Sequence, residues 1–559
     1  MDRRATLAAL LGRKTSSKKG AKTRAMSTAV VTGLTPYTGP WGFEQAAHLM
    51  RRSTMGPNYS LIKEAQNLGL DATIAALLAD TPMPDPPLNS NNNNDPNVPI
   101  GETWIDAPYS DTVNLFGYRT QSLYAWNMGV MVAEGMSVRE KMTLFWHNHF
   151  VTSLASVSDA KFIYRYITTL RSSALGNFRQ LVKDVTIDPA MLRYLNGSQN
   201  TKTAPNENYA RELLELFTIG KGQQVGPGDY TNYTEQDVSE IAKVLTGWRD
   251  TGYRTTNPAT PVGSNFVPNR HDNTTKQLSY RFDDVQIPNA GADEYKNLVD
   301  IIFLQDEVAR FICRKLYRWF VYYVIDATVE TDVIEPLAQV LIDNDYDIVP
   351  ALETLLKSEH FFDALSIGPM IKNPVDFVLT ASKTVDMPIP ANLNGQYRAW
   401  LKMAEPLSLL QMQIFNPPDV AGWKAYYQEP LFYRTWINSV TLPYRMQITD
   451  GVTTTGISAG GGVTLKIDVL ALAATLDDPA DPNQLIDDLS KILLPQPITE
   501  NQKTFLKNIL LPGLPDYEWT IEYADYLADP TNPVYYGPIE LQLRLLLKAM
   551  MNLPEFYLS

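Results

Sequence analysis

The sequence predicts an all-α fold: a large multi-helix globular assembly with long irregular loops and few or no strands. Three observations predict it. Apolar residues recur at helical spacing through most readable segments. Two segments open on the spacing of an N-terminal capping box. Alternating apolar and polar runs of strand type are scarce.

Taken in chain order, helices are expected around 43–52 and 59–79. Ser137-Val-Arg-Glu140 has capping-box spacing and opens a segment whose Val138, Met142, Phe145 and His149 share a face. A helix follows around 160–172. Thr234-Glu-Gln-Asp237 opens the next, with Val238, Ile241, Ala242 and Leu245 on its apolar side and Gly247 as its stop. From Glu307 to Tyr323 a wide stripe of Val308, Phe311, Ile312, Leu316, Trp319, Phe320 and Tyr323 reads as a buried helix, with Arg310, Arg314 and Arg318 as a basic stripe beside it. Further helices are expected around 332–342, 349–363, 373–384 and 540–552.

Loops show in composition. Asp80 to Asp95 combines prolines with an asparagine tract, and Thr251 to Asp284 is rich in Pro, Asn and Thr. Thr449 to Gly462 reads as a linker. The chain therefore divides into a basic tail (1–35), a main helical domain (36–448) and a C-terminal helical unit (463–559).

The composition of the 559 residues sets bounds on function. The net charge of −13 hides a start with eight Lys or Arg in 24 residues, so the rest is strongly acidic, which argues against a nucleic-acid partner. No apolar run reaches the ~18 residues of a membrane span. Cys313 is the only cysteine, so any metal site must use His and carboxylate ligands. Arg3-Arg4 ahead of a short apolar run has the arrangement of a twin-arginine export signal, but Arg13 and Lys14 interrupt the run; a plain basic tail reads equally well.

Candidate chemistry lies in a few local patterns. In Asn206-Glu-Asn-Tyr-Ala-Arg-Glu-Leu-Leu-Glu-Leu-Phe217, residues Asn208, Arg211, Glu212 and Glu215 share one helical face while Ala210, Leu213, Leu214 and Phe217 share the opposite one. His147 and His149 stand two apart in Phe145-Trp-His-Asn-His-Phe150, so on an intact helix they point about 200° apart. His271-Asp272 pairs an imidazole with a carboxylate in a polar loop, suited to a divalent cation or to base catalysis. Arg51 and Arg52 end a helix beside His48, where they would hold an anionic group or bridge acidic helices. The sequence contains no Gly-x-Ser-x-Gly elbow, no phosphate-binding loop and no His-Glu-x-x-His pair.

These patterns occur in a recognisable order: Ala47-His-Leu-Met-Arg-Arg52, Glu140-Lys-Met-Thr-Leu-Phe-Trp-His-Asn-His-Phe150, the 206–217 stretch running on to Gly220, Tyr233-Thr-Glu-Gln-Asp-Val238, Leu245-Thr-Gly-Trp248, Ile371-Lys-Asn-Pro-Val375, Phe415-Asn-Pro-Pro-Asp-Val-Ala-Gly-Trp423 and Met551-Asn-Leu-Pro-Glu-Phe556. Together they resemble the bacterial family known as domain of unknown function 1800, over roughly residues 41 to 557. The resemblance implies a mainly helical envelope or exported protein, often found beside a sulfatase-like family, domain of unknown function 1501. It implies no reaction.

The expectation to be tested is a single polar pocket. In it His147, His149, Glu212, Glu215 and His271 would bind a divalent metal of unspecified identity, and His271, Asp272, Arg211 and Arg52 would act on an anionic or glycan-type substrate by metal-assisted hydrolysis. The alternative is a non-enzymatic envelope protein that assembles with the sulfatase-like partner.

Overall fold

Helices form where the apolar stripes place them, and a computed structural model describes residues 33–559 except 92, 428, 430 and 431. Helix accounts for 55% of the chain and strand for 7%, which makes the protein mostly helical rather than strictly all-α. The strands occur as four antiparallel two-stranded pairs among the described residues. One of them pairs Trp248–Thr251 with Gly263–Phe266, the second strand lying inside the stretch expected to be irregular. The basic tail and its arginine pair lie outside the described residues.

Local signals fix several helix ends. Thr234 and Asp237 do form a reciprocal cap at the start of the helix Glu235–Val244. Gly69, at a φ of 83°, breaks the expected 59–79 helix into Tyr59–Leu68 and Leu70–Leu77. The box read at Ser137–Glu140 does not form, because the Glu140 carboxylate turns inward to Arg171 instead of back to its own helix end. The helix Arg139–His149, hereafter the hub helix, starts one residue later, after Val138, without a side-chain cap.

One long helix lies outside the expected elements. Leu115–Ala133 is buried on several faces, so its apolar residues make no single stripe. It packs against Leu393–Ala404, and Gly129 lets the Trp400 ring lie 2.7 Å from where a Cβ would stand.

A single hydrophobic cluster runs from Ala46 to Leu558, drawing in Leu485 and Leu543 from the C-terminal unit. The Thr/Gly stretch read as a linker contains the end of a helix, Thr441–Thr453, and a hairpin of Ile457–Gly460 with Val463–Leu465. Among the described residues no helix is long and apolar enough to cross a membrane.

Candidate functional site

The hub helix shows how the polar motif residues are used. Glu140 accepts two hydrogen bonds from Arg171 at 2.6 and 2.9 Å, both side chains being essentially inaccessible. Lys141 pairs with Asp376, which follows Ile371-Lys-Asn-Pro-Val375. His147 Nε2 accepts the Phe415 amide at 3.0 Å, and Asn148 Oδ1 accepts the Trp423 amide at 2.9 Å. Gly422, at a φ of +95°, sits so close to Asn148 that a Cβ would stand 2.4 Å from its Oδ1. The 415–423 motif is thereby clamped to the hub helix.

The 206–217 motif is clamped there too. Its helix begins as α-helix at Asn208 and widens to a π-helical turn over Leu213–Thr218. Carbonyls at such a helix end lack in-helix donors. Lys315 donates to Leu216 O at 2.9 Å and His149 Nε2 to Phe217 O at 2.9 Å, while Lys315 also reaches His149 Nδ1 at 3.0 Å. His149 is thus a helix cap. Burial and the Lys315 charge push its imidazole well below the ordinary range, and burial alone pushes His147 down to about 3.

Arg52 is a cap of the same kind. Its guanidinium donates to Phe320 O at 2.8 Å and Trp319 O at 3.2 Å, the carbonyl end of the helix Asp306–Phe320. A cation suits the negative end of a helix dipole. Arg51 does the same at Ile492 O, closing the helix Pro482–Leu493. Arg51 also lines a small pocket with Lys372 and Asp376, whereas Arg52 does not. The expected catalytic part for Arg52 gives way to a structural one.

His271 and Asp272 belong to a separate cluster. His271 Nδ1 faces Thr246 O at 2.9 Å and Nε2 faces Glu294 Oε2 at 3.1 Å, while Lys276 Nζ lies 2.5 Å from the other oxygen of Glu294. Glu294 and Lys276 are completely buried. Asp272 accepts the Thr274 amide and hydroxyl at 2.9 and 2.6 Å. Desolvation opposes those bonds, yet they and the nearby Lys276 charge hold its carboxyl below the usual range.

These contacts decide the metal question for the histidines. A metal ligand needs a free imidazole lone pair. His147 spends its Nε2 on the Phe415 amide, both nitrogens of His149 are engaged, and both nitrogens of His271 face oxygen acceptors. Among the described residues no group of three or more His, Cys, Asp or Glu side chains is disposed to hold a metal ion. The residues present do not fit the expected divalent metal, and no step is derived through one.

What does converge is a carboxylate cluster on the exposed side of the 206–217 helix. Arg211 is held in a fork by Glu235 at 2.8 and 2.7 Å, with Glu207 at 3.2 Å. Glu215 accepts from the Tyr233 hydroxyl at 2.9 Å and from Lys221 at 3.3 Å. Glu212 has no hydrogen-bond or ion-pair partner among the described residues. Burial first, then the neighbouring charges of Glu215 and Asp419, raise its carboxyl to about 7, against the pull of Arg211 and Lys221. Tyr194 feels the charges of both Asp419 and Glu212, and Tyr427 that of Asp419. Asp419, from the 415–423 motif, and Tyr194 were not foreseen; a motif aspartate in a Pro-rich turn was the available signal for the first.

A second unforeseen pair lies behind the hub helix. Burial, then the charge of Glu140, raises Glu134 to about 8. One of its oxygens accepts the Glu140 amide at 2.8 Å, and the other is buried without a partner.

These observations define a class: a mostly helical protein whose charged motifs chiefly lock segments to one another, with the half-buried Glu212 carboxyl left unpartnered among them. The chain belongs to the family described as protein of unknown function (DUF1800), whose model matches residues 48–558. No curated protein and no solved structure matches the chain.

Proposed function

We propose that this protein is a hydrolase acting on uncharged, hydroxyl-rich substrates of glycan type, with Glu212 as the group that takes a proton from the attacking water. The observation that carries the reading is the Glu212 carboxyl itself: unpartnered, half-buried and raised to about 7, where a carboxyl is half ionised at neutral pH and suited to general acid–base work. It sits where two family motifs meet, beside a π-helical turn of the kind that recurs at functional sites.

Glu215 and Asp419 hold Glu212 in that state, and their field disfavours an anionic group at the same place. An uncharged glycan is therefore the better match than an anionic ester. Tyr194 and Tyr427 supply aromatic faces of the type that pack on sugar rings. The chemistry uses the carboxyl alone: water loses a proton to Glu212 as its oxygen attacks, and that proton passes to the leaving oxygen as the scissile bond breaks.

The test is turnover of chromogenic neutral glycosides and of cell-wall glycan by the full chain and by Glu212→Gln. Loss of about 100-fold or more in the variant, with unchanged melting, supports the reading. Turnover that survives the substitution, or a parent protein inert on every glycan, overturns it.

The second reading is an envelope assembly protein acting with the sulfatase-like partner. It is favoured by the other motif residues, which are spent on internal contacts as in a scaffold. Co-purification with that partner at stoichiometric yield, in a protein without turnover, would support it. Export by the arginine pair belongs to either reading, with a cytoplasmic protein as the alternative. Cell fractionation of an Arg3→Lys, Arg4→Lys variant tests it: the protein should shift from the periplasm to the cytoplasm.

A further inference from the structure

A cleft of about 490 Å³ lies along the outer face of the helix Ala160–Ser172, remote in sequence from every motif residue used so far. Its walls are Lys161, Tyr164, Arg165, Thr168, Thr169 and Ser172 on one side, with Asp106 and the Pro258–Val262 loop opposite. The volume falls in the range of small-ligand sites, roughly 300–1,000 Å³.

Lys161 is the informative residue. It is only 5% exposed. Its ammonium has no hydrogen bond or ion pair among the described residues. Of the carboxylates whose charge reaches it, Asp159 accepts from the amides of Lys161, Phe162 and Arg254 and from the Tyr109 hydroxyl, and Asp95 binds Arg119 through one oxygen. Burial and the Arg119 charge press its pKa down, and the charges of Asp159, Asp106 and Asp95 pull it back. The ammonium stands at the cleft wall over the Tyr109 ring, 5.7 Å from its centroid, with its N–H donors uncommitted. Arg165, one turn on, uses one nitrogen on Val262 O at 3.2 Å.

The hydroxyls beside these cations have a fixed polarity. Thr168 donates its proton to Tyr164 O at 2.6 Å, Thr169 to Arg165 O at 3.1 Å and Ser172 to Thr169 O at 3.1 Å. Each donor is spent on the helix, so the row offers the cleft only acceptor lone pairs. A partner for this wall must carry a negative group for Lys161 and Arg165 and several O–H donors for the threonines, the serine and Asp106.

We propose that this cleft binds a carboxylated saccharide of di- to trisaccharide size, its uronate-type carboxylate on Lys161 and Arg165 and its ring hydroxyls on Thr168, Thr169, Ser172 and Asp106. The site is independent of Glu212, and either assignment stands if the other falls.

Calorimetric titration of the full chain with trigalacturonic acid, with the neutral trisaccharide maltotriose and with inorganic sulfate tests it. Saturable binding of trigalacturonic acid is expected. Lys161→Met should weaken it at least tenfold, and a Thr168→Val, Thr169→Val double variant by a smaller factor, both with parental melting. Glu212→Gln should leave it unchanged. No binding by the parent, or equal binding by Lys161→Met, overturns the proposal. Maltotriose binding as tightly removes the carboxylate, and sulfate competing at equal affinity removes the saccharide.

Discussion

Two charged clusters built from family motifs end in opposite states. Around Glu294 the carboxylate is buried, and His271 and Lys276 stand against its two oxygens at 3.1 and 2.5 Å. Around Glu212 three carboxyls gather at a half-exposed face, and the central one has no partner. The first cluster is electrically closed and serves the fold. The second is left open, and the proton affinity of its central carboxyl is displaced toward neutrality. Charge in a motif thus says little by itself; whether that charge is neutralised separates a strut from a reactive group.

The largest break in this comparison is Lys276→Met, which strands Glu294 in the interior. Loss of one partner from a buried ion pair costs about 3–5 kcal/mol. Urea unfolding should show a loss of that order, and a loss under 1 kcal/mol would mean that the cluster is not closed. Glu212→Gln is the counterpart. Stability should hold or rise, because the substitution removes a carboxylate from a like-charged group, while turnover falls as stated above.

The pH dependence separates the groups by sign. Burial holds the folded His147 at about 3, below its unfolded value near 6.5. Its contribution is present above 6.5 and is lost as pH falls toward 3. Glu212 and Glu134 run the other way. Their folded values of about 7 and about 8 exceed the ordinary carboxyl value, so their contribution is full in acid and is lost as pH rises through 7 and 8. Melting temperature against pH should therefore peak between the two limbs. Glu134→Gln should flatten the alkaline limb, and a limb unchanged in that variant would remove Glu134 as its cause. The smallest expected effect is that of a chelator, which should leave melting within error. A fall of several degrees would show that a metal does bind and that the imidazoles rearrange to hold it.

The sequence carried much of the helical fold and little of the site. The Thr234–Asp237 cap was legible because all its determinants lie within four residues. The Ser137–Glu140 cap was a false reading with the same local pattern, because the true partner of Glu140, Arg171, lies 31 residues away. His149 was legible as special, but not as a cap on a π-helical turn 68 residues on, since spacing does not encode which carbonyl lies opposite. Glu212 was read on the polar face of the 206–217 helix. What distinguishes it from Glu215 is the lack of a partner, which appears only when Tyr233 and Lys221 are seen to choose the other carboxylate.

The contact between Arg52 and Ser559 spans 507 residues: Arg52 donates to the Ser559 hydroxyl at 2.9 Å as well as to the Phe320 carbonyl. Beside it Lys372 reaches Phe556 O at 2.7 Å, and Ile371 bridges Leu558. A nascent chain emerging from the ribosome can build its middle helices as they appear, but this clasp waits until translation has reached the last of these partners. The helix Phe43–Ser53, the first among the described residues, is thus among the last to be locked, so a stalled or truncated product would carry a loose front end for proteases to find.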